Sequence, residues 1–417
     1  MNILWINNIA IPQISEALGV KSVPVGGWMV KLANEISRVK NIHLSIAFPY
    51  QSIQNGKTGK ISFYSFVLNE KQVLARNISQ SEDRVTEIIR KVRPDVVHIF
   101  GTEGAHSYVV TEICKKLGIS DKVVISIQGM VSVYSKHYTA FLQHKVVSGI
   151  TIRDIYKGNV QSGAKRFSKL GQLEIKNIEN VRHVIGRTDW DRACTMQINP
   201  KIQYHFNNEM LRDSFYVSPK WNINRCDKHS IFMSQATSPI KGLHLGLEAM
   251  TILKKEFPDI TLYIAGKSYY EKSKYKHSYY EKYILEYIQR NDLRQFVHFT
   301  DFLNEQQMVN RYLKSHVFVS ASSIENSPNS VCEAMMLGVP VVSSMVGGVA
   351  NLLEHGKEGF YYQADAPYML AYYVKQIFDN DELASNFSIA SRQKAEIRHK
   401  VEYIVDDLID IYDEIAK

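Results

Sequence analysis

The stretch Ser322-Ser323-Ile324-Glu325-Asn326-Ser327-Pro328-Asn329-Ser330-Val331-Cys332-Glu333-Ala334-Met335 follows one β-branched run, His316–Ser320, and precedes another, Pro340–Ser343. Ser327 is a good N-cap and Pro328 suits a first helical turn, so the residues predict a helix starting there. The N–H groups at such a terminus, together with the helix dipole, make a site for phosphate. Glu325 falls in the loop just before that helix and Glu333 about two turns along it. Carboxylates so placed can accept hydrogen bonds from sugar or ribose hydroxyls. A plain helix start with two solvated glutamates fits the same residues.

Outward from this stretch, short apolar runs alternate with longer helical patterns, which argues for parallel α/β architecture. The strand candidates of the first half are Asn2–Ile6, His43–Phe48, Asp95–Phe100, Lys122–Ile127 and Val181–Ile185. Those of the second half are Ile231–Gln235, Ile260–Ala265, Val297–Thr300, His316–Ser320, Pro340–Ser343 and Gly359–Tyr362. Each half is long enough for a doubly wound sheet of five or six strands. Pro219, Asn222 and Asn224 break both periodicities, so a boundary is expected within Tyr216–His229. Glu396–Ala416 carries Ile397, Val401, Ile404, Val405, Leu408, Ile409, Tyr412 and Ile415 on one stripe, which predicts a single long helix packed on a domain. The expected domains are therefore 1–217, 218–395 and a terminal helix 396–417. Open α/β sheets bind ligands at the carboxyl ends of their strands, which makes a cleft between the two halves the natural site.

The 417 residues predict two or three domains, and 45% hydrophobic with 22% charged residues excludes a disordered, collagenous or coiled-coil chain. The formal charge of +8 is uneven: residues 1–220 carry 29 Lys and Arg against 17 Asp and Glu, and residues 221–417 carry 21 against 25. The balances of +12 and −4 suggest that one half faces something anionic. Much of the excess lies in Lys136, Lys145, Arg153, Lys157, Lys165, Arg166, Lys169 and Lys176, interleaved with Tyr134, Tyr138, Phe141, Leu142 and Ile150. Such a mixture suits an interfacial surface on anionic lipid, or a solvated charged face on a buried helix pair. No nucleic-acid-binding motif accompanies the charge, so nucleic acid is not expected as a partner. Cys114, Cys194, Cys226 and Cys332 form no metal-ligand spacing and read as reduced thiols. Met1–Ile6 is apolar at once and lacks the basic leader of a signal peptide, and the longest apolar stretch, Met335–Leu353, is too broken to span a membrane. The expected location is cytoplasmic, with peripheral contact at the inner face of the membrane.

Two further segments could touch a ligand. In Ser234-Gln235-Ala236-Thr237-Ser238-Pro239-Ile240-Lys241-Gly242, Lys241 stands near a strand's carboxyl end, where it could supply a point charge to a diphosphate, although a Lys-Gly before a helix, taken singly, is ordinary loop chemistry. Gly26-Gly27 precede the helix pattern Met29–Ile36 after the long loop 8–25, and such a pair lets backbone approach a ligand. With Glu325 and Glu333 in an E-x7-E arrangement, the run Gly338-Val339-Pro340-Val341-Val342 and Asp95-Val96-Val97-His98, these segments resemble the retaining, nucleotide-sugar-dependent glycosyltransferases of family 4. The resemblance covers nearly the whole chain in its order of elements and is carried most strongly by Ser230–Gln363.

It implies the GT-B fold: two doubly wound Rossmann-like domains facing across a cleft, acceptor-binding first and donor-binding second, with the last helix crossing back to the first domain. It implies that Glu325 holds the donor sugar's hydroxyls, Glu333 binds the ribose and Lys241 neutralises the diphosphate, helped by the helix terminus at Asn326, Ser327, Asn329 and Ser330. Gly27 would approach the phosphates from the other domain. No DxD motif lies near a strand end, so no metal and no cofactor are expected, and the leaving group would be stabilised by Lys241 and dipoles.

Gln235 stands where the family commonly has an arginine, and Gln128 where it commonly has a histidine. Arg187 could replace the lost charge. His106 could replace the histidine, although a lone histidine is often structural. The implied activity is retaining transfer of a sugar from a nucleotide sugar, UDP being the commonest in the family, to a glycan or lipid-linked acceptor in bacterial surface polysaccharide (capsule) assembly. A catalytically silent subunit that binds a sugar nucleotide or partner, and a sugar-nucleotide epimerase, are the alternatives.

Overall fold

In β1 (Asn2–Ile6) the side chains of Ile3, Leu4, Trp5 and Ile6 are all buried, as a strand covered on both faces requires. The computed structural model describes residues 1–20 and 27–417. The first sheet continues with β2 (His43–Pro49), β3 (Asn55–Thr58), β4 (Ile61–Phe66), β5 (Val96–Phe100), β6 (Val123–Ser126), β7 (His183–Gly186) and β8 (Gln203–Phe206). Its order is β3-β4-β2-β1-β5-β6-β7-β8, parallel throughout except for the antiparallel pair β3 and β4. The second sheet holds β9 (Asp227–Met233), β10 (Thr261–Ile264), β11 (Val297–Phe299), β12 (Ser315–Ser320), β13 (Val341–Ser344) and β14 (Phe360–Tyr362). It runs β11-β10-β9-β12-β13-β14 with every pair parallel. The winding direction reverses between β9 and β12, and the carboxyl ends of the two strands at such a reversal form a ligand crevice.

The eleven expected strands are all present, with ends shifted by a few residues. Three more complete the first sheet. Asn55-Gly56-Lys57-Thr58 and Gln203-Tyr204-His205-Phe206 are its two edges and contain no fully buried residue, so neither shows an apolar run. The remaining one, β4, alternates, with Ile61 and Phe63 buried and Ser62 and Tyr64 half-buried.

By compactness the chain divides into one unit of Met1–Tyr134, Phe167–Arg212 and His399–Lys417, and another of Ser135–Arg166 and Asp213–Arg398. The first contains the eight-stranded sheet and the second the six-stranded one. Residues 135–166, placed by sequence with the first half, pack instead with the second unit. Ser323 Oγ donates to the carbonyl of His137 at 2.9 Å, and Thr151 Oγ1 to that of His277 at 2.8 Å.

The end of the chain is two helices rather than one. Asp381–Arg398 stops, His399 and Lys400 turn the chain, and Val401–Ala416 follows. His399 ties the turn to the first unit through Nδ1, 2.6 Å from the carbonyl of Glu209. Ile397 is accordingly 70% exposed, off the stripe expected to bury it. The last helix lays Ile404, Leu408, Tyr412 and Ile415 into the core of the first unit, against a cluster that includes Ile3, Trp5, Leu32 and Ile36.

A polar chain crosses that core. Trp5 Nε1 donates to the Tyr412 hydroxyl at 2.9 Å, which lies 2.5 Å from His98 Nδ1, and His98 Nε2 lies 2.7 Å from Ser126 Oγ. The tautomer with the His98 proton on Nε2, toward Ser126, lets the Tyr412 hydroxyl accept from Trp5 and donate to Nδ1, so that every group in the chain is satisfied. Burial lowers the His98 pKa from 6.5 to about 3, which keeps the ring neutral.

Tyr412→Phe should leave His98 Nδ1 and Trp5 Nε1 without their partner and lower stability by about 1–3 kcal/mol, read as a shift in the urea midpoint at constant m. Because the folded ring refuses the proton that an unfolded His98 binds below about pH 6.5, stability should also decline as pH falls from there toward 3. Urea midpoints at pH 8, 6 and 5 would test that sign.

Candidate active site

The two loops that leave β9 and β12 meet at the reversal point of the second sheet. The first ends in a short 3-10 turn, Pro239–Lys241, followed by Gly242 in the left-handed region at φ 69. A Cβ on Gly242 would stand 1.9 Å from the carbonyl oxygen of Ala321, at the start of the second loop. Only glycine permits that approach. The Ser323 N–H then donates to the Ile240 carbonyl at 2.9 Å, stitching the loops together.

Across this seam Lys241 Nζ donates to Glu325 Oε1 at 2.5 Å, and Ser322 Oγ donates to the same oxygen at 2.6 Å. The Ser322 carbonyl in turn accepts from Ser344 Oγ at 2.6 Å. The backbone of Glu325 is held as closely: its carbonyl accepts from the Gly348 N–H at 3.1 Å, and a Cβ on Gly347 would lie 1.8 Å from it. Glu325 is 6% exposed, so its carboxylate is oriented before anything binds. An ammonium has three donors and the pair accounts for one.

A small polar recess opens over the pair, lined by Ser234, Gln235, Lys241, Ser322, Glu325 and Ser330, among others. Ser330 is the second residue of the helix Asn329–Leu337, so that helix begins at the cavity. Its N-cap is Pro328, one residue later than expected, and no side chain caps it. Asn326 and Ser327 are buried in the turn before it. Glu333 is the fifth residue of this helix, one turn in rather than two, and is also buried, so neither glutamate is a solvated surface group. Glu333 does not line the cavity over Lys241. Gln235 does, from a residue with φ 53. Ser234 Oγ is buried there without a hydrogen-bond partner among the described residues, a polar atom suited to a ligand.

The family model described as glycosyl transferases group 1 matches residues 218–394. The matched residues all lie in the second unit and make up under half of the chain. YtcC of Bacillus subtilis (strain 168), whose name places it among the glycosyltransferases, is 26% identical over 324 residues, 75% of this chain and 71% of that protein. Spore coat protein SA of the same organism is 24% identical over 178 residues; the match takes in 42% of this chain and 46% of that protein, under half its length. Among solved structures, Anabaena HepE in complex with UDP and glucose superposes with a TM-score of 0.68 at 13% identity, covering 99% of each chain. At that identity the likeness is one of fold, and the fold is GT-B.

The remaining candidates lie in the first unit, outside the segment that the family model matches. Gly27 opens the helix Gly27–Arg38, where a Cβ would stand 3.2 Å from the Arg212 side chain; Gly26 lies outside the described residues. Gln128 and Arg187, at the carboxyl ends of β6 and β7, converge on Glu209: Gln128 Nε2 donates to one of its oxygens and Arg187 pairs with the other. Arg187 also donates to the Ile127 carbonyl at 3.0 Å and is buried, so it is held within its own unit. His106, second in the helix Ala105–Lys116, is 2% exposed, and burial lowers its pKa to about 4. The neutral ring faces the Phe100 carbonyl at 3.4 Å.

Glu103 went unassigned in the sequence although it stands in the same Gly101–His106 segment. Burial raises its pKa to about 7, with Glu174 and Glu209 adding to the rise and a backbone hydrogen bond and Arg187 opposing it. It can therefore hold or release a proton near neutrality. Gly101, at φ 80, makes room for it: a Cβ there would lie 2.1 Å from Glu103 Oε2. Ser322, Ser344 and the Gly347-Gly348 pair, the immediate supports of Glu325, also went unassigned. Val346-Gly347-Gly348 reads in sequence only as a break in an apolar run.

Gly242→Ala should force Ala321 away, lower the thermal midpoint and weaken nucleotide binding, because the added methyl group has no space at 1.9 Å. A thermal melt with and without UDP measures both; an unchanged melt would mean that the seam yields.

Proposed function

We propose that this protein is a glycosyltransferase that moves a sugar from UDP to a glycan or lipid-linked acceptor with retention of configuration, in surface-polysaccharide assembly. The observation that carries the proposal is the Lys241–Glu325 pair, held at 2.5 Å in a cavity that also meets a helix N-terminus. A nucleoside diphosphate sugar has a dianionic leaving group on one side of the anomeric carbon and hydroxyls on the other, and this cavity offers a cation and a carboxylate. The complex of HepE with UDP and glucose, on the same fold, supports UDP as the donor nucleotide.

In this scheme the diphosphate takes the Lys241 ammonium and the N–H groups of the helix Asn329–Leu337, which oppose the charge that grows as the glycosidic C–O bond breaks. Glu325 accepts hydrogen bonds from sugar hydroxyls and fixes the ring. The acceptor hydroxyl attacks the anomeric carbon on the face the diphosphate leaves, and its proton passes to a phosphate oxygen, so no protein base is required. Lys241 and the helix dipole stand in for a metal ion. Glu333 is assigned to the ribose, and Gln128, His106 and Glu103 to the acceptor side.

A silent subunit that binds a sugar nucleotide without turning it over is the second reading. It is favoured by Gln235, an uncharged residue in the cavity lining, where Lys241 is the one formal cation among the described residues.

Glu325→Ala should leave the melting temperature within a few degrees of the parent and abolish UDP release from UDP-sugars. Lys241→Met should remove the stabilisation that saturating UDP confers, about 2.7 kcal/mol at 100 times the dissociation constant. Transfer at the parent rate by Glu325→Ala sinks the site assignment. Stabilisation by UDP without turnover in the presence of membrane extract supports the silent reading.

A further inference from the structure

The helix Ile152–Lys157 of the second unit is amphipathic in the wrong sense for a soluble surface. Its polar residues face inward: Asp154 closes a capping box with Thr151, accepts from the Tyr279 N–H at 2.8 Å and is 5% exposed. Its apolar residues face outward. Ile152 is 61% exposed, Ile155 71% and Tyr156 83%, on the shared face that i, i+3 and i+4 spacing creates, and Ile150 just before them is 65% exposed. Soluble surfaces carry single exposed isoleucines, but three in six residues beside an outward tyrosine need a partner.

The surroundings say which one. Thr151 Oγ1 donates to the His277 carbonyl, and the helix packs on the turn Lys274–Lys276, whose Lys274, Tyr275 and Lys276 are all exposed. Residues 135–166 and 267–277 together hold ten Lys and Arg against two Asp and Glu, and one of those two is the buried Asp154. Not every cation is available: Arg153 is held by Asp154 at 3.0 Å and by the Gly158 carbonyl at 2.7 Å, and Lys272 by Glu281 at 2.6 Å. Lys157, next to Tyr156 in sequence, and Lys274 and Lys276, on the packed turn, remain exposed beside the apolar side chains, and Lys145 is exposed five residues before Ile150. Protruding isoleucine and tyrosine ringed by lysines match the boundary of an anionic bilayer, where apolar side chains enter the acyl region and ammonium groups meet headgroup phosphates.

We propose that this surface, Ile150, Ile152, Ile155, Tyr156 and Tyr275 within a ring of lysines, docks the protein on anionic membrane. Co-sedimentation with vesicles of phosphatidylcholine alone, and of phosphatidylcholine mixed with phosphatidylglycerol, tests it on the whole chain. The parent should bind the mixed vesicles, bind the neutral ones far more weakly, and lose affinity as salt rises. Ile155→Ser combined with Tyr156→Ser should weaken binding at least about tenfold. Lys157→Gln, Lys274→Gln and Lys276→Gln should each weaken it about fivefold. All are surface changes, and an unaltered melt confirms that the variants fold.

Equal binding to both vesicle types, no binding to either, or variants that bind as the parent does would each overturn the proposal. So would a parent that sediments as a dimer which Ile155→Ser with Tyr156→Ser dissociates, since the face would then belong to a second copy. Sugar transfer is a separate readout and does not enter the outcome.

Discussion

The absence of a side chain at Gly242 is the constraint on which the site of the second unit depends. With 1.9 Å between a hypothetical Cβ and the Ala321 carbonyl, the loops after β9 and β12 come close enough to share a hydrogen bond and an ion pair. Gly347 repeats the device from the far side, letting the segment after β13 press on the backbone of Glu325. Three loops at the carboxyl ends of neighbouring strands thus converge on one carboxylate. Parallel strands deliver their loops to one edge as a matter of topology, but they do not by themselves bring the loops into contact. The glycines do, and the serines at 322 and 344 fix the oxygens once contact is made.

The Lys241–Glu325 pair is also chemically unfinished. Two opposite charges at 2.5 Å, one nearly buried and the other with its side chain 28% exposed, satisfy each other only in part. A ligand that carries both an anion and hydroxyls can separate the pair and give each partner a better match. Such a pair holds both side chains in place before binding and leaves no isolated buried charge in the meantime.

How much of this could be read from residues alone follows from what each element needs. Central strands such as Ile3-Leu4-Trp5-Ile6 must be apolar on both faces and are plain in any reading, whereas the edges Asn55–Thr58 and Gln203–Phe206 need no such run and were invisible. Lys241, Glu325 and the helix after Pro328 were legible because loop chemistry at strand ends is local. Their supports were not: that Gly347 touches Glu325, 22 positions earlier, is a fact of three-dimensional packing. Arg187, offered as a substitute for the arginine that the family commonly has where Gln235 stands, pairs with Glu209, a partner that no local motif announces. The terminal helix was misjudged in extent because its apolar period runs through His399 and Lys400, where the backbone turns toward Glu209.

The charge asymmetry changes meaning for the same reason. Split at residue 220, the chain reads as +12 and −4, which suggests a basic domain and an acidic one. Counted by compact unit, the first holds 24 Lys and Arg against 21 Asp and Glu, and the second 26 against 21. Neither unit is strongly basic as a whole. The acidic last helix, with six Asp and Glu and only the flanking Lys400 and Lys417 against them, belongs to the first unit and offsets its excess, while residues 135–166 carry their six cations into the second. What remains is local: a face of the second unit where lysines surround outward isoleucines and tyrosines. Averaged over a domain such a face has almost no electrostatic signature, because screening over about 8–10 Å confines each lysine's influence to its neighbours. Charge in this protein therefore has to be located residue by residue, with the burial of Asp154 counting for as much as the presence of Lys157.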